Sequence, residues 1–232
     1  SVVFPAYNEE ANVANAVKDF KREYVDEVIV VDNNCTDRTA AAAEKAGAKV
    51  VKETRQGYGF AVRRGLSEAN GGYVVLSEPD GTFSGSDVLK LLAYAEDVDM
   101  VLGSRTNRSL IWQGANMGFL LKWANWAVGK MMEVLFNGTC LSDAGCTMRL
   151  IKKEALSRIL NEFTVGKEMF LPEMTILAML NNLTYVELPV NYRSRVGESK
   201  STGKGLWIAA WVGFKMCALI IRYRLTRRRK PV

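Results

Sequence analysis

The chain has 232 residues, 48% of them apolar, enough for one large domain or two small ones with a sizeable core, which excludes a disordered chain. It contains no histidine. That excludes Ser-His-Asp and Cys-His catalysis, histidine metal ligation and histidine general bases, so any proton or metal chemistry rests on carboxylates. The net charge of +6 is local: Arg222, Arg224, Arg227, Arg228, Arg229 and Lys230 crowd the tail, and the body before it is close to neutral.

Cys35, Cys140, Cys146 and Cys217 have no CxxC spacing, so neither a zinc site nor a disulfide framework is expected, and a reducing compartment is. Ser1 to Tyr7 reads as a first strand ending near Pro5, and Asn8-Glu9-Glu10 as the start of a helix running to about Tyr24. Glu27 to Val31 is a continuous apolar run of the kind found in parallel sheets. Thr36 or Asp37 can cap the alanine-rich helix that Gly47 stops, and Lys49 to Lys52 is a third strand. The glycine-broken loop Arg55-Gln56-Gly57-Tyr58-Gly59 then leads into a helix ending near Ala69.

Tyr73 to Leu76 predicts a buried fourth strand, followed directly by Ser77-Glu78-Pro79-Asp80-Gly81-Thr82-Phe83. Two carboxylates flanking one proline at a strand's carboxyl end can hold one divalent cation, Mg²⁺ or Mn²⁺, against a diphosphate. The same residues also spell a Pro-Asp-Gly turn with Glu78 solvated, and the segment alone does not choose. A helix from about Ser86 to Ala95 and a strand from Asp99 to Gly103 complete an alternation that predicts a doubly wound, mostly parallel α/β sheet with flanking helices. Asp32, Gln56, Glu78, Asp80 and Arg105 all fall on its carboxyl edge.

Beyond Thr106 the pattern changes. Gly114 to Phe136 predicts a long apolar helix, Gly138 to Arg149 a polar loop into a strand, Lys153 to Leu160 and Pro172 to Leu180 helices, and Leu183 to Val190 a last strand. Arg193 to Gly205 reads as a basic loop suited to phosphates. Leu206 to Tyr223, apolar but broken by Lys215, fits an interfacial helix better than a bilayer span, with the basic tail on anionic lipid. No nucleic-acid partner is expected, because the aromatics do not interleave with the cations. Residues 1–204 are thus expected to form the main domain and 205–232 a membrane-interface helix with its tail.

Phe4-Pro5-Ala6-Tyr7-Asn8-Glu9-Glu10, Val30-Val31-Asp32 with Thr36-Asp37, the acidic pair after the fourth strand and Gly103-Ser104-Arg105 occur in this order. The set resembles the inverting family 2 glycosyltransferases of the GT-A fold. Ser142 to Arg149, and Pro189-Val190 followed by Arg195 to Lys200, resemble the branch that makes dolichyl-phosphate and polyprenyl-phosphate sugars. The resemblance implies that Pro5, Tyr7 and Glu10 surround the base and ribose and that Asp32 reads the base edge. It implies that Asp80 is the second acid of the family's DxD metal motif, with Glu78 in the first position in place of the usual Asp. Thr82 stands where relatives often have Gln. Arg105, Arg195 and Lys200 are implied phosphate contacts; Arg149 is implied at the acceptor phosphate, with Asp143 orienting it.

The activity so implied is transfer of glucose or mannose from a UDP- or GDP-linked sugar to a polyprenyl or dolichyl phosphate at the cytoplasmic face of a membrane, the chain being peripheral or monotopic there. Transfer to a soluble acceptor, with Glu168 or Glu173 as base, and a catalytically degenerate membrane-bound binding protein are the alternatives; Glu173 also reads as an ordinary helix-start charge.

Overall fold

The computed structural model describes residues 1–111, 119–195 and 206–227. Seven strands, β1 (Val2–Ala6), β2 (Val28–Asp32), β3 (Lys49–Lys52), β4 (Tyr73–Leu76), β5 (Met100–Ser104), β6 (Arg149–Lys152) and β7 (Tyr185–Pro189), form one sheet in the order β3-β2-β1-β4-β6-β5-β7. β6 runs antiparallel to both its neighbours and all other pairs are parallel. The mostly parallel sheet expected from the alternating elements is therefore present.

Strand periodicity divides the core into two layers. Val3, Ile29, Val31, Leu76, Met100 and Leu102 point to the face covered by α3 (Tyr58–Glu68), α5 (Phe119–Phe136), α6 (Lys153–Ile159), α7 (Phe170–Leu180) and α8 (Leu206–Thr226). Val2, Phe4, Val28, Val30, Val75 and Val101 point to the other, covered by α1 (Val13–Phe20), α2 (Thr39–Lys45) and α4 (Asp87–Ala95). Leu219, Ile220 and Tyr223 of α8 are buried in the first layer.

The helix expected from Asn8 begins later, at Val13. Asn8 takes a left-handed backbone (φ 54°), where Asn is tolerated but a helix cannot propagate, and Glu9 O accepts the amides of Asn12 and Val13 in a separate turn. Asn8 Oδ1 accepts Thr36 N at 2.7 Å, which pins the end of β1 to the loop after β2. From β1 the chain winds outward through β2 to β3, whereas β4 lies on the other side of β1. The carboxyl ends of β1 and β4 are thus the point where strand order reverses, the usual position of a ligand crevice in such sheets.

Candidate active site

A cleft of about 200 Å³ opens at that reversal, lined by Pro5, Ala6, Tyr7 and Glu9 after β1, Asn33 after β2, Gln56, Tyr58 and Ala61 at the start of α3, Glu78, Pro79 and Asp80 after β4, and Arg195. Among the residues expected to bind nucleotide or metal, Pro5, Tyr7, Gln56, Glu78 and Asp80 are brought together here, with Arg195 from the expected phosphate contacts. Tyr7 stands 43% exposed at the mouth, its ring accessible for stacking on a planar ligand.

Asp80 uses its two oxygens differently. Oδ1 accepts Thr82 N at 3.0 Å and Thr82 Oγ1 at 2.6 Å, which folds the Pro-Asp-Gly turn. Oδ2 is buried and accepts no hydrogen bond among the described residues; Arg195 Nη1 stands 3.2 Å away as an ion pair without hydrogen-bond geometry. Arg195 Nη2 also donates to Glu9 Oε1 at 3.0 Å, so its guanidinium bridges acids from both cleft walls. Glu78 accepts Thr147 Oγ1 at 2.8 Å. Burial, and then the neighbouring Asp80 charge, push the Glu78 carboxyl up to about 7, against the opposing pull of Thr147, Arg105 and Arg195.

This donor set fits a small hard cation: two carboxylates on one turn, one carrying a buried oxygen that no donor among the described residues satisfies. No group of three or more acidic, cysteine or histidine side chains among the described residues could hold a metal. Further ligands would therefore come from a diphosphate and from water, as suits Mg²⁺ or Mn²⁺.

Arg105, at the end of β5, is clamped by Asp143: Nε and Nη2 donate to the two carboxylate oxygens at 2.8 and 2.9 Å, and Arg105 N donates to Oδ2 at 3.0 Å. The Asp143 turn is held in turn by Glu187 of β7, whose oxygens accept Ser142 N, Ser142 Oγ and Asp143 N. Asp143 thus orients Arg105 and not, as expected, Arg149.

Arg149 itself is buried within the molecule and does not line the cleft. Its guanidinium donates to Cys146 O at 2.6 Å, Leu171 O at 3.2 Å and Thr175 Oγ1 at 3.4 Å, tying β6 to α7. Arg149 stands opposite Leu76 of β4 and Leu102 of β5 and shares their face of the sheet, toward α7. Glu10 also lies outside the lining, bonded to the backbone N and the Nε of Arg38. Its neighbour Glu9 faces the cleft. Asp32 is likewise not in the lining: its Oδ1 accepts Cys35 N at 2.8 Å and folds the loop after β2. Asn33 occupies the wall, its Oδ1 accepting Gly57 N at 2.8 Å and its amide donating to Glu53 O and Arg55 O.

Lys200 lies outside the described residues. Glu9, Asn33, Tyr58, Thr147 and Glu187 were not singled out from sequence. Only Asn33 had a usable signal, a polar residue directly after a buried strand.

The solved structure of glucosyl-3-phosphoglycerate synthase from Mycobacterium tuberculosis, in complex with Mn²⁺, UDP and glucosyl-3-phosphoglycerate, matches with a TM-score of 0.72 over 96% of this chain and 78% of that one. At 20% identity this is a likeness of fold, and the fold is GT-A. Residues 1–160 match the family model for glycosyl transferase family 2, and the chain belongs to that family. It is 31% identical over 203 residues to a dolichyl-phosphate hexose transferase of Haloferax volcanii, covering 86% of this chain and 85% of the relative. The low-salt glycan biosynthesis hexosyltransferase Agl6 of the same organism is 31% identical over 206 residues, 86% of this chain; the chain spans about half of that relative's length, 49%. The chain is therefore a glycosyltransferase.

Proposed function

We propose that this glycosyltransferase moves a hexose, glucose or mannose, from a UDP- or GDP-linked sugar to a polyprenyl or dolichyl phosphate at the cytoplasmic face of a membrane, assisted by Mg²⁺ or Mn²⁺. The observation that carries the reading is the acid pair Glu78 and Asp80 at the strand-order reversal, Asp80 buried and one of its oxygens accepting no hydrogen bond among the described residues. The relative named as a dolichyl-phosphate hexose transferase supports the lipid acceptor.

Pro5, Tyr7, Asn33 and Gln56 form the wall suited to base and ribose, and Glu78 with Asp80 would hold the cation. Such an ion, when bound, neutralises the charge that develops on a departing nucleoside diphosphate. Arg195 reaches Glu9 and Asp80 and can exchange them for phosphate oxygens. Arg105, held by Asp143 with its side chain only 13% exposed, presents a fixed cation for an acceptor phosphate. A phosphate monoester is already ionised at neutral pH, so its oxygen attacks the anomeric carbon without help from a base. This suits a chain without histidine in which Glu173 is buried in hydrogen bonds and Glu168 is paired with Lys215 at 3.0 Å.

No helix among the described residues is long and apolar enough to cross a membrane. Peripheral contact is supported instead by α5 and α8, which pack together and expose Trp123, Trp126, Trp211 and Phe214, with Arg222 and Arg224 further along α8.

The test is release of nucleoside diphosphate from UDP-glucose and GDP-mannose, offered polyprenyl phosphate in vesicles or phosphoglycerate in solution, with Mn²⁺ or with chelator. Release that needs both the lipid and Mn²⁺ is expected. Turnover with phosphoglycerate alone would transfer the reading to a soluble acceptor, and none with either would leave only a binding role.

A further inference from the structure

Glu173 sits in the first turn of α7 and is fully buried. Its Oε1 accepts Thr164 N at 2.8 Å, Thr164 Oγ1 at 2.6 Å and the hydroxyl of Tyr223, and its Oε2 accepts Val165 N at 3.0 Å. A buried carboxylate satisfied by this many donors is an anchor for whatever carries them.

What it anchors is the loop 163–166, and that loop lies backbone against backbone on the start of α3. Phe60 N donates to Gly166 O at 3.2 Å, and Arg63 Nη1 donates to Phe163 O at 3.1 Å. The approach is so close that a Cβ on Gly57, whose φ is 150°, would stand 2.3 Å from Gly166 O, and one on Gly59 2.7 Å from Val165 O. Gln56 and Tyr58, which this same turn carries, line the cleft.

The fourth donor, Tyr223, comes from α8, and two ion pairs tie that helix to the same stretch: Lys215 with Glu168 at 3.0 Å and Arg227 with Glu162 at 2.9 Å. A continuous set of contacts thus runs from α8 through Glu173 and the 163–166 loop to the wall of the cleft.

We infer that Glu173 is a positioning residue for the nucleotide pocket, and that through the Tyr223 hydroxyl the docked terminal helix sets the N-terminal turn of α3. The assignment of the ligand rests on the function proposed above; the mechanical link does not. It gives the helix with exposed aromatics a purchase on donor binding, so that seating α8 differently would change nucleotide affinity at a distance.

The experiment uses the full chain with Tyr223→Phe, which removes one hydroxyl and keeps the ring in the core, and Glu173→Gln, which sets an NH₂ group against donor N–H groups. Hydrogen exchange is followed over residues 55–62 and over β2, with UDP and GDP affinity measured in Mn²⁺. Loss of a bond to a buried charge is expected to speed exchange at 55–62 about tenfold and to weaken nucleotide binding about fivefold, with β2 unchanged. Unchanged exchange at 55–62 in Tyr223→Phe overturns the link, as does faster exchange there with unchanged affinity. Should Glu173→Gln fail to fold, Tyr223→Phe decides alone. If the parent protein binds neither UDP nor GDP, the nucleotide reading fails, and the exchange data by themselves decide whether Glu173 and Tyr223 position α3.

Discussion

Asp80 carries two tasks that a single substitution can separate. Its Oδ1 organises the turn through Thr82, while its Oδ2 is the buried oxygen at the cleft that accepts no hydrogen bond among the described residues. Asp80→Asn keeps one carbonyl-type acceptor for Thr82 and removes the charge a divalent cation needs. The expected outcome is a fall in Mn²⁺-dependent turnover of about 100-fold or more with the fold intact, measured by nucleotide release and circular dichroism. Turnover and Mn²⁺ affinity that survive would reduce the acid pair to a backbone turn. Glu78 supports a second prediction, made for metal-free protein. Its folded value of about 7 lies above the ordinary 4.5, so the folded state holds this proton more tightly than the unfolded chain. The contribution to stability is complete below about pH 4.5 and is lost as pH rises through about 7. In chelator, Glu78→Gln should therefore be more stable than its parent at pH 8, by on the order of 2 kcal/mol, and show no such gain at pH 4. Thermal unfolding at the two pH values checks this, and added Mn²⁺ should stabilise the parent alone.

At the level of elements, the strands are legible because each of β1, β2, β4 and β5 is a short, nearly continuous apolar run, and a strand buried on both faces can be little else. The site was legible to the extent that function follows strand ends, which placed Gln56, Glu78, Asp80 and Arg105 correctly on one edge. It was not legible where a side chain's direction depends on local backbone angles. The left-handed Asn8 rotates the residues after it, so Glu9 and not Glu10 enters the cleft, and nothing in residue spacing records that rotation. Arg149 is a similar case: its motif is plain in the sequence, but only its register opposite Leu76 and Leu102 reveals that it faces α7. The contact of α3 with β1 was equally invisible. Gly65 lies against the sheet so closely that an added Cβ would stand 2.3 Å from Val3 Cγ1 and 2.9 Å from Val31 Cγ2. The higher helix propensity of alanine is then outweighed by overpacking. Gly65→Ala should cost about 1–3 kcal/mol, read as a lower urea midpoint with an unchanged slope. A neutral or stabilising effect would mean that α3 can move off the sheet, and with it the Gln56–Tyr58 wall.

Across the whole molecule, the cleft and the surface proposed to meet lipid share one core. α8 buries Leu219, Ile220 and Tyr223 beside α5 and α7 while exposing Trp211 and Phe214, whose rings stack at 5.7 Å. Removing residues 205–232 would therefore strip the core as well as any membrane contact, and loss of vesicle binding in such a deletion could not be assigned to either. The exposed ring pair separates the two effects. Trp211 is 58% and Phe214 63% exposed, so replacing both by serine gives up little burial and should move the melting temperature by no more than a couple of degrees. If α8 lies in the headgroup region, the same change withdraws two aromatic anchors and should weaken binding to vesicles containing anionic lipid about tenfold or more. Turnover with polyprenyl phosphate in vesicles should fall in parallel, while affinity for the nucleoside diphosphate in solution stays constant, since neither ring takes part in the Tyr223 to Glu173 contact. Vesicle binding that persists in this double variant would place the membrane contact elsewhere on the molecule, with α8 left as a support for the core.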